Sequence, residues 1–405
     1  MYLEMANILV SVVIPCYNQG HFALRAIQSV LDQGLDECEI ILIDDGSQDD
    51  TGELLGSITD SRLRYHYQPN QGLAAARNKG LHLAKGEFIV FLDADDELAP
   101  SFFAKTLPVL RSNSEWAGVY TLSVYIDPDE KILPGPVVGR IVPPDQLYSE
   151  LLQGGFLPIM AAVVKRKAVL SIRGFESSLS GTADWDYWLR LAKENLLVGI
   201  PEPLAYYRVY PGSMSTNAEL MNRDRLQVLK KHFGTPDDHP SSWSDQKRVA
   251  YAMGYRANAL ALMEQGNFFQ AYSWVRKALL IKPEIFTRLD TYYELACCRQ
   301  SKGQRGRAEL LDFAQSELDV LGVLEVIERS DAGENFKRQA ASRAYQALGS
   351  LADVSGEWAL ARKYFSRSVF FMPTIILEPG FLRRYFKLFL GKRVVERLRK
   401  GILSG

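Results

Sequence analysis

The sequence predicts an α/β domain, with a mostly parallel central sheet flanked by helices, followed by an all-α helical-repeat domain. Three observations lead there. From Ile8 to Leu92, short apolar runs alternate with stretches of helical periodicity, the pattern of a largely parallel sheet. Residues 226–246 (LQVLKKHFGTPDDHPSSWSDQ) are rich in Pro, Asp and Ser and mark a boundary. Beyond them the periodicity is helical, with Gly, Ala and Pro recurring at matched positions. The expected domains are 1–225 (α/β), 226–246 (linker), 247–375 (helical) and 376–405 (basic tail).

The strand candidates are Ile8–Pro15 (ILVSVVIP), Glu39–Asp45 (EIILIDD), Leu63–Gln68 (LRYHYQ) and the run opening FIVFLDADD at Phe88. Phe88–Leu92 is continuously apolar without alternation, as expected of a strand buried on both faces. Between the first two strands, FALRAIQSVLDQ places Phe22, Ala26, Ile27, Val30 and Leu31 at helical spacing; TGELLGSI and LAAARNKGLHLA supply two further helices. Ligands of such sheets sit beyond the carboxyl ends of the strands. Polar residues gather there: Tyr17 and Asn18 after the first strand, Asp44 to Ser47 after the second, Asp93 and Asp95 after Leu92. Asp93, Asp95, Asp96 and Glu97 crowd four acids into five positions, which raises their ionisation cost unless a cation or donors offset it.

The chain has 405 residues, 47% hydrophobic and 23% charged, a globular composition with length for two or three domains. A net charge of −1 offers no footprint for nucleic acid. Cys16, Cys38, Cys297 and Cys298 have no metal-like spacing, which fits a reducing compartment. The N-terminal stretch lacks a basic region and a long apolar run, so no signal peptide is expected, nor a membrane-spanning helix anywhere. The expected location is cytoplasmic, with a peripheral position on the cytoplasmic membrane face as an extension of that.

The helical region resembles a short tetratricopeptide array. Counting back from Pro283 and Pro373, Gly266 pairs with Gly356 and Ala271 with Ala361, while Ala278 faces Ser368. A middle unit keeps Gly303 and Ala308 in step but lacks the terminal Pro. Small residues let paired helices approach, and Pro closes the second helix. The alternative is plain helical-bundle packing.

The ordered set SVVIPCYN, IILIDDGSQDDT and NQGLAAARNKGLHLAKGEFIVFLDADD resembles the family 2 glycosyltransferases of GT-A fold, over residues 8–215. The segments RGFESSLSGTADWDYWLRLA and PLAYYRVYPGSMS continue the series. The resemblance implies transfer of a sugar, with inversion, from a nucleotide-sugar (UDP favoured) to a carbohydrate or lipid-linked acceptor. It implies Asp95 as direct ligand of Mg²⁺ or Mn²⁺, with Asp93 on the ribose or the metal's water shell. Oxygen donors suit such cations, and the cation offsets diphosphate charge. Asp96 is read as either part of this set or a helix cap. Asp45 would accept a hydrogen bond from the base, framed by Pro15, Tyr17 and Asn18. Core packing is the alternative for Tyr17. Arg77 would face the nucleotide or pair with Asp44 or Asp45. Asp184 stands where the family places the base that takes the acceptor proton.

Two positions depart from the family pattern. Ala183 replaces the Glu of the common Glu-Asp pair, and Tyr210 stands where many relatives have His. Tyr210 would touch phosphate, and Arg208 would offset diphosphate charge unless it is an ordinary surface residue. Trp185 would line the acceptor cleft or pack the helix, and Asp186 would cap it or pair with Arg190. Between Phe381 and Lys400 there are eight Lys or Arg and one acid, Glu396. This amphipathic tail either binds an anionic membrane surface or caps the helical array. The competing functional class is a spent enzyme acting as a scaffold, with a protein partner on its helical repeats.

Overall fold

The computed structural model describes residues 8–210, 212–236 and 240–388. Two compact units divide between Pro236 and Asp237. In the first, the expected strands and helices form in order: β1 (Val10–Cys16), α1 (Gly20–Leu31), β2 (Cys38–Asp44), α2 (Thr51–Gly56), β3 (Leu63–Tyr67), α3 (Leu73–Leu83) and β4 (Phe88–Phe91). All residues of β1, β2 and β4 are buried, as the apolar runs required. The rest of the unit is β5 (Glu97–Leu98), α4 (Phe102–Ser112), β6 (Trp116–Ile126), α5 (Leu147–Leu151), β7 (Ala162–Lys165), α6 (Arg166–Ser171), α7 (Ala183–Glu194), β8 (Leu196–Arg208) and α8 (Ala218–Phe233).

The eight strands form one sheet in the order β3-β2-β1-β4-β7-β6-β8-β5. Four pairings are parallel and three antiparallel, so the sheet is more mixed than its front half suggests. The chain builds outward from β1 through β2 to β3, then returns to place β4 on the other side of β1. That reversal is a topological switch point, where open α/β sheets bind ligands. β7 runs antiparallel to both β4 and β6, and β8 runs parallel to β6. The C-terminal ends of β1, β2, β4 and β8 therefore reach the same sheet edge.

Gly80 sets how closely α3 lies on the sheet. A Cβ there would come within 2.1 Å of Val13 Cγ1, on a fully buried β-branched side chain with no room to turn. Gly80→Ala gains roughly 1 kcal/mol of helix propensity but meets an overpacking penalty of up to about 3 kcal/mol. A lower thermal midpoint is expected; an unchanged or raised one would show that α3 can shift outward freely.

The segment expected as linker is helical over its first part, because α8 continues to Phe233. The second unit is all-helical: α9 (Asp245–Glu264), α10 (Phe268–Ile281), α11 (Leu289–Ala296), α12 (Phe313–Glu328), α13 (Glu334–Val354), α14 (Trp358–Phe371) and α15 (Phe381–Lys387). The hairpins α9–α10 and α13–α14 are built alike. Gly266 and Gly356 take φ of 76° and 84°, a left-handed turn that favours glycine. Gly266 donates its N–H to Met263 and Asn267 to Leu262; Gly356 donates to Asp353 and Glu357 to Ala352. These helix-ending bonds have the same spacing in both hairpins. Ala271 and Ala361 are fully buried, and Pro283 and Pro373 each open a short 3₁₀ turn.

The middle unit differs from expectation. Gly303 and Ala308 lie in short 3₁₀ turns, and no second helix follows α11 before α12. The loop folds back on Gln300, whose side chain accepts the Gly306 N–H and donates to the Arg307 carbonyl, both at 2.7 Å. In the tail, α15 buries Phe381 against Phe365 of α14, with ring centroids 5.3 Å apart. Up to Leu388 the tail thus covers the end of the helical unit. Residues 389–405, and with them most of the proposed membrane-surface helix, lie outside the described residues. Among the described residues no helix is long and apolar enough to cross a membrane.

Candidate active site

A cavity of about 560 Å³ opens at the switch-point edge. Pro15, Tyr17, Asp45, Arg77, Asp93, Asp95, Asp184, Arg208 and Tyr210 all line it, drawn together from 15 to 210 in sequence. Asn18 and Trp185 are not among the lining residues.

The acids after β4 sit in a tight turn in which the Asp96 N–H donates to the Asp93 carbonyl at 3.0 Å. Arg77, buried on α3, donates to Asp93 Oδ1 at 2.5 Å and stacks over Phe175 at 5.1 Å. Its ion-pair partner is therefore Asp93, neither Asp44 nor Asp45. Asp95 accepts the Tyr210 hydroxyl on Oδ2 at 2.9 Å, and Gln19 Nε2 lies 2.6 Å from that hydroxyl. Burial raises the Asp95 pKa, the nearby Asp93 charge adds to this, and the Tyr210 bond opposes it. Tyr210, expected to touch phosphate, lines the cavity and also orients the Asp95 carboxylate.

Arg208 is buried and structural. Its guanidinium donates to the carbonyls of Asp95, Asp127 and Pro128 at 2.8, 2.9 and 3.1 Å, and pairs with Glu97. It is thus neither a surface residue nor a guanidinium left over for a diphosphate; it braces the backbone beneath Asp95. Asp96 accepts the Arg208 backbone N–H at 2.9 Å, tying the acidic turn to the end of β8 rather than capping a helix.

Asp45 is buried and accepts three hydrogen bonds: from Gln68 Nε2 (2.7 Å), Gln71 N (2.9 Å) and Gly72 N (2.7 Å). A carboxylate offers about four acceptor positions, so one further donor fits. Tyr17 is 42% exposed, which contradicts core packing and presents its ring at the cavity. Asn18 is exposed and accepts the Gln48 N–H on Oδ1 at 2.8 Å, while its own N–H meets Ser47 Oγ at 2.9 Å. It pins the β1 and β2 loops to each other. Trp185 is buried, its indole N–H donating to the Leu151 carbonyl at 2.7 Å, so it packs α7 and does not line the cavity. Burial pushes the Cys16 thiol up to about 12, which keeps it protonated beside the cavity and disfavours a nucleophilic role.

Asp184 sits half-buried in the first turn of α7. One of its oxygens accepts the Trp185 N–H at 2.8 Å. Ala183 beside it is buried. Asp186, fully buried, pairs with Arg190 at 2.9 Å, as the helical spacing suggested, and also with Lys231 and His232 on α8. Those two partners and the contact of Arg77 with Asp93 are tertiary facts that no motif announced.

Asp93 and Asp95 are hard oxygen donors lining one cavity. This donor set fits a divalent cation that shares its remaining ligands with phosphate and water. No group of three or more His, Cys, Asp or Glu side chains able to hold a metal occurs among the described residues.

The arrangement has counterparts among known proteins. TarS residues 1–349 of S. aureus, solved with UDP-GlcNAc, superposes with a TM-score of 0.50 at 14% identity, covering 74% of this chain and 90% of that one. The fold is of the GT-A type. A model of glycosyl transferase family 2 matches residues 11–142. An uncharacterized glycosyltransferase of Rickettsia typhi is 30% identical over 234 residues, 56% of this chain and 71% of that protein. The chain belongs to glycosyltransferase family 2. Chondroitin synthase of Escherichia coli is 30% identical over 214 residues, 52% of this chain but 30% of that one. Like that synthase, several curated relatives are matched over only 30 to 33% of their length.

Proposed function

We propose that the chain is an inverting, divalent-metal-dependent glycosyltransferase that moves a sugar from a nucleotide-sugar to an acceptor hydroxyl, in polysaccharide or lipid-linked oligosaccharide assembly. The observation that carries this reading is one cavity lined by Asp45 and Tyr17, by Asp93 and Asp95, and by Asp184. The exposed Tyr17 ring offers a stacking surface for a base, and the remaining acceptor position of Asp45 takes one N–H from it. A single N–H suits uracil, whose hydrogen-bonding edge carries one donor. Asp95, with Asp93, would hold the cation, which supplies positive charge for the departing diphosphate. Asp184 accepts the acceptor hydroxyl proton as the bond to the sugar forms. Tyr210 and Arg208 keep Asp95 in place, so that little reorganisation is needed when ligand arrives. We assign the first unit, through α8, to the glycosyltransferase domain and the two matched hairpins of 247–375 to a tetratricopeptide-like array.

Calorimetric titration of UDP-, GDP- and dTDP-sugars, with and without Mn²⁺, tests the reading. Mn²⁺-dependent binding of the UDP class is expected, weakened at least about tenfold by Asp45→Ala through loss of a charge-assisted hydrogen bond. A folded protein that binds none of the three classes would overturn it.

A further inference from the structure

The loop 174–182 carries the chain into α7, and its two ends are stitched to different helices. At its start, Asn78 on α3 donates Nδ2 to the Phe175 carbonyl and accepts the Phe175 N–H on Oδ1, both at 2.8 Å. At its end, the fully buried Asp224 of α8 accepts the N–H groups of Ser180 and Gly181 on one oxygen, Oδ2, at 2.8 and 2.7 Å. Arg223 holds the other oxygen at 3.1 Å from Nε and 3.0 Å from Nη2. Gly181 also lies directly against α8: a Cβ there would stand 2.7 Å from Met221 Sδ and 3.5 Å from Leu220 Cγ. Ser180, Gly181 and Asp184 line the same cavity. One turn into α7, Asp186 returns to α8 through Lys231 at 3.1 Å and His232 at 2.9 Å.

We propose that Asp224 is a positioning residue for the catalytic base, fixing the 180–182 loop so that Asp184 faces the acceptor hydroxyl. This rests on the reading of Asp184 as that base. Helix α8 lies beyond the residues matched by the family model, 11–142, yet it holds the chain on either side of Asp184, at the 180–181 loop through Asp224 and within α7 through Asp186. A buried carboxylate is costly unless hydrogen-bonded, so Asp224 and the loop hold each other in one arrangement. Charge-assisted bonds to two successive N–H groups make that arrangement stiff as well as specific. A misplacement of about 1 Å at a reacting group costs on the order of 10²-fold in rate, which is the effect the clamp prevents.

The test compares Asp224→Ala and Asp224→Asn in the full chain by three readouts: amide hydrogen exchange over 179–183, UDP affinity with Mn²⁺, and UDP release from a panel of UDP-sugars with water as the acceptor. Asp184 takes the water proton as the sugar–oxygen bond forms and the sugar–diphosphate bond breaks. Asp224→Ala is expected to speed exchange at Ser180 and Gly181 and lower kcat about 10²-fold, with UDP affinity unchanged. Asp224→Asn keeps a carbonyl oxygen for both N–H groups and is expected to restore protection and turnover together. Should Asp224→Ala not fold, Gly181→Val presses the loop off Met221 while leaving Asp224 in place, and the same kcat loss is expected. Protected amides in Asp224→Ala, or wild-type kcat in a variant whose loop exchanges fast, would overturn the proposal. An Asn variant with protected amides and no turnover would do so too. A wild-type protein that binds UDP but turns over no UDP-sugar would refute the base assignment, and this proposal with it. The exchange result would then still report whether Asp224 holds the loop.

Discussion

Asp184→Asn is expected to lower kcat for sugar transfer by about 10²–10⁴-fold, the range removed with a general base, while UDP affinity in Mn²⁺ stays at the wild-type level. The substitution keeps the size and shape of the side chain and an oxygen for the Trp185 N–H, which Asp184 Oδ1 now accepts at 2.8 Å. What it removes is the ability to take a proton. Asp184 stands in the first turn of α7, on the side of the helix that lines the cavity. On the proposed reading the nucleotide contacts come from the ends of β1, β2 and β4, so donor binding has no reason to change. Steady-state kinetics with calorimetry separates the two effects. Wild-type turnover in Asp184→Asn would remove it from the chemistry; a loss of UDP affinity in step with kcat would move it to the donor side.

Asp186→Ala is expected to destabilise the first unit by about 3–5 kcal/mol, the range found when one partner of a buried ion pair is removed. Asp186 has no side-chain exposure and faces Arg190 on its own helix and Lys231 and His232 on α8. Removing it leaves three cationic or polar groups converging on an apolar gap. Burial raises the Asp186 pKa, but the His232 hydrogen bond and the charges of Arg190 and Lys231 outweigh it and hold the carboxyl at about 2. The folded-state pKa lies below the unfolded one, so the contribution is full above about pH 4 and lost as pH falls toward 2. At 1.36 kcal/mol per unit, the shift is worth about 2 kcal/mol. Urea unfolding at pH 7 and pH 3 reads both effects: the mutational loss should shrink at the lower pH. An equal loss at both would show that packing, not charge, makes the contribution.

The front half of the sheet was legible because its signals are local. Continuous apolar runs bounded by polar clusters placed β1, β2 and β4 within a residue or two, since nothing competes with burial on both faces. The back half was not. β8 contains Gly199, Pro201 and Pro203, which read as breakers; the strand tolerates them because its pairing with β6 shifts register there. β5 has two residues and exists only because β8 passes beside it. The middle helical unit misled for a related reason: Gly303 and Ala308 sit at repeat spacing, but Gly306 and the Gln300 side chain close a compact loop instead.

The site shows the same division. Its acids, its exposed tyrosine and the residue at the head of α7 were visible as chain-order motifs, because spacing along strands and helices places such residues at one sheet edge. Which donor meets which acceptor was not visible. Arg77 could have paired with any of several acids, and the packing of α3 chose Asp93. Arg208 and Tyr210 were read toward the ligand, yet the return of β8 to that edge turned both onto Asp95. Partner choice depends on contacts distant in sequence, where a shift of an ångström exchanges one hydrogen bond for another. Composition and periodicity carry the elements and the type of chemistry; the pairings that aim each side chain arise only when the elements pack.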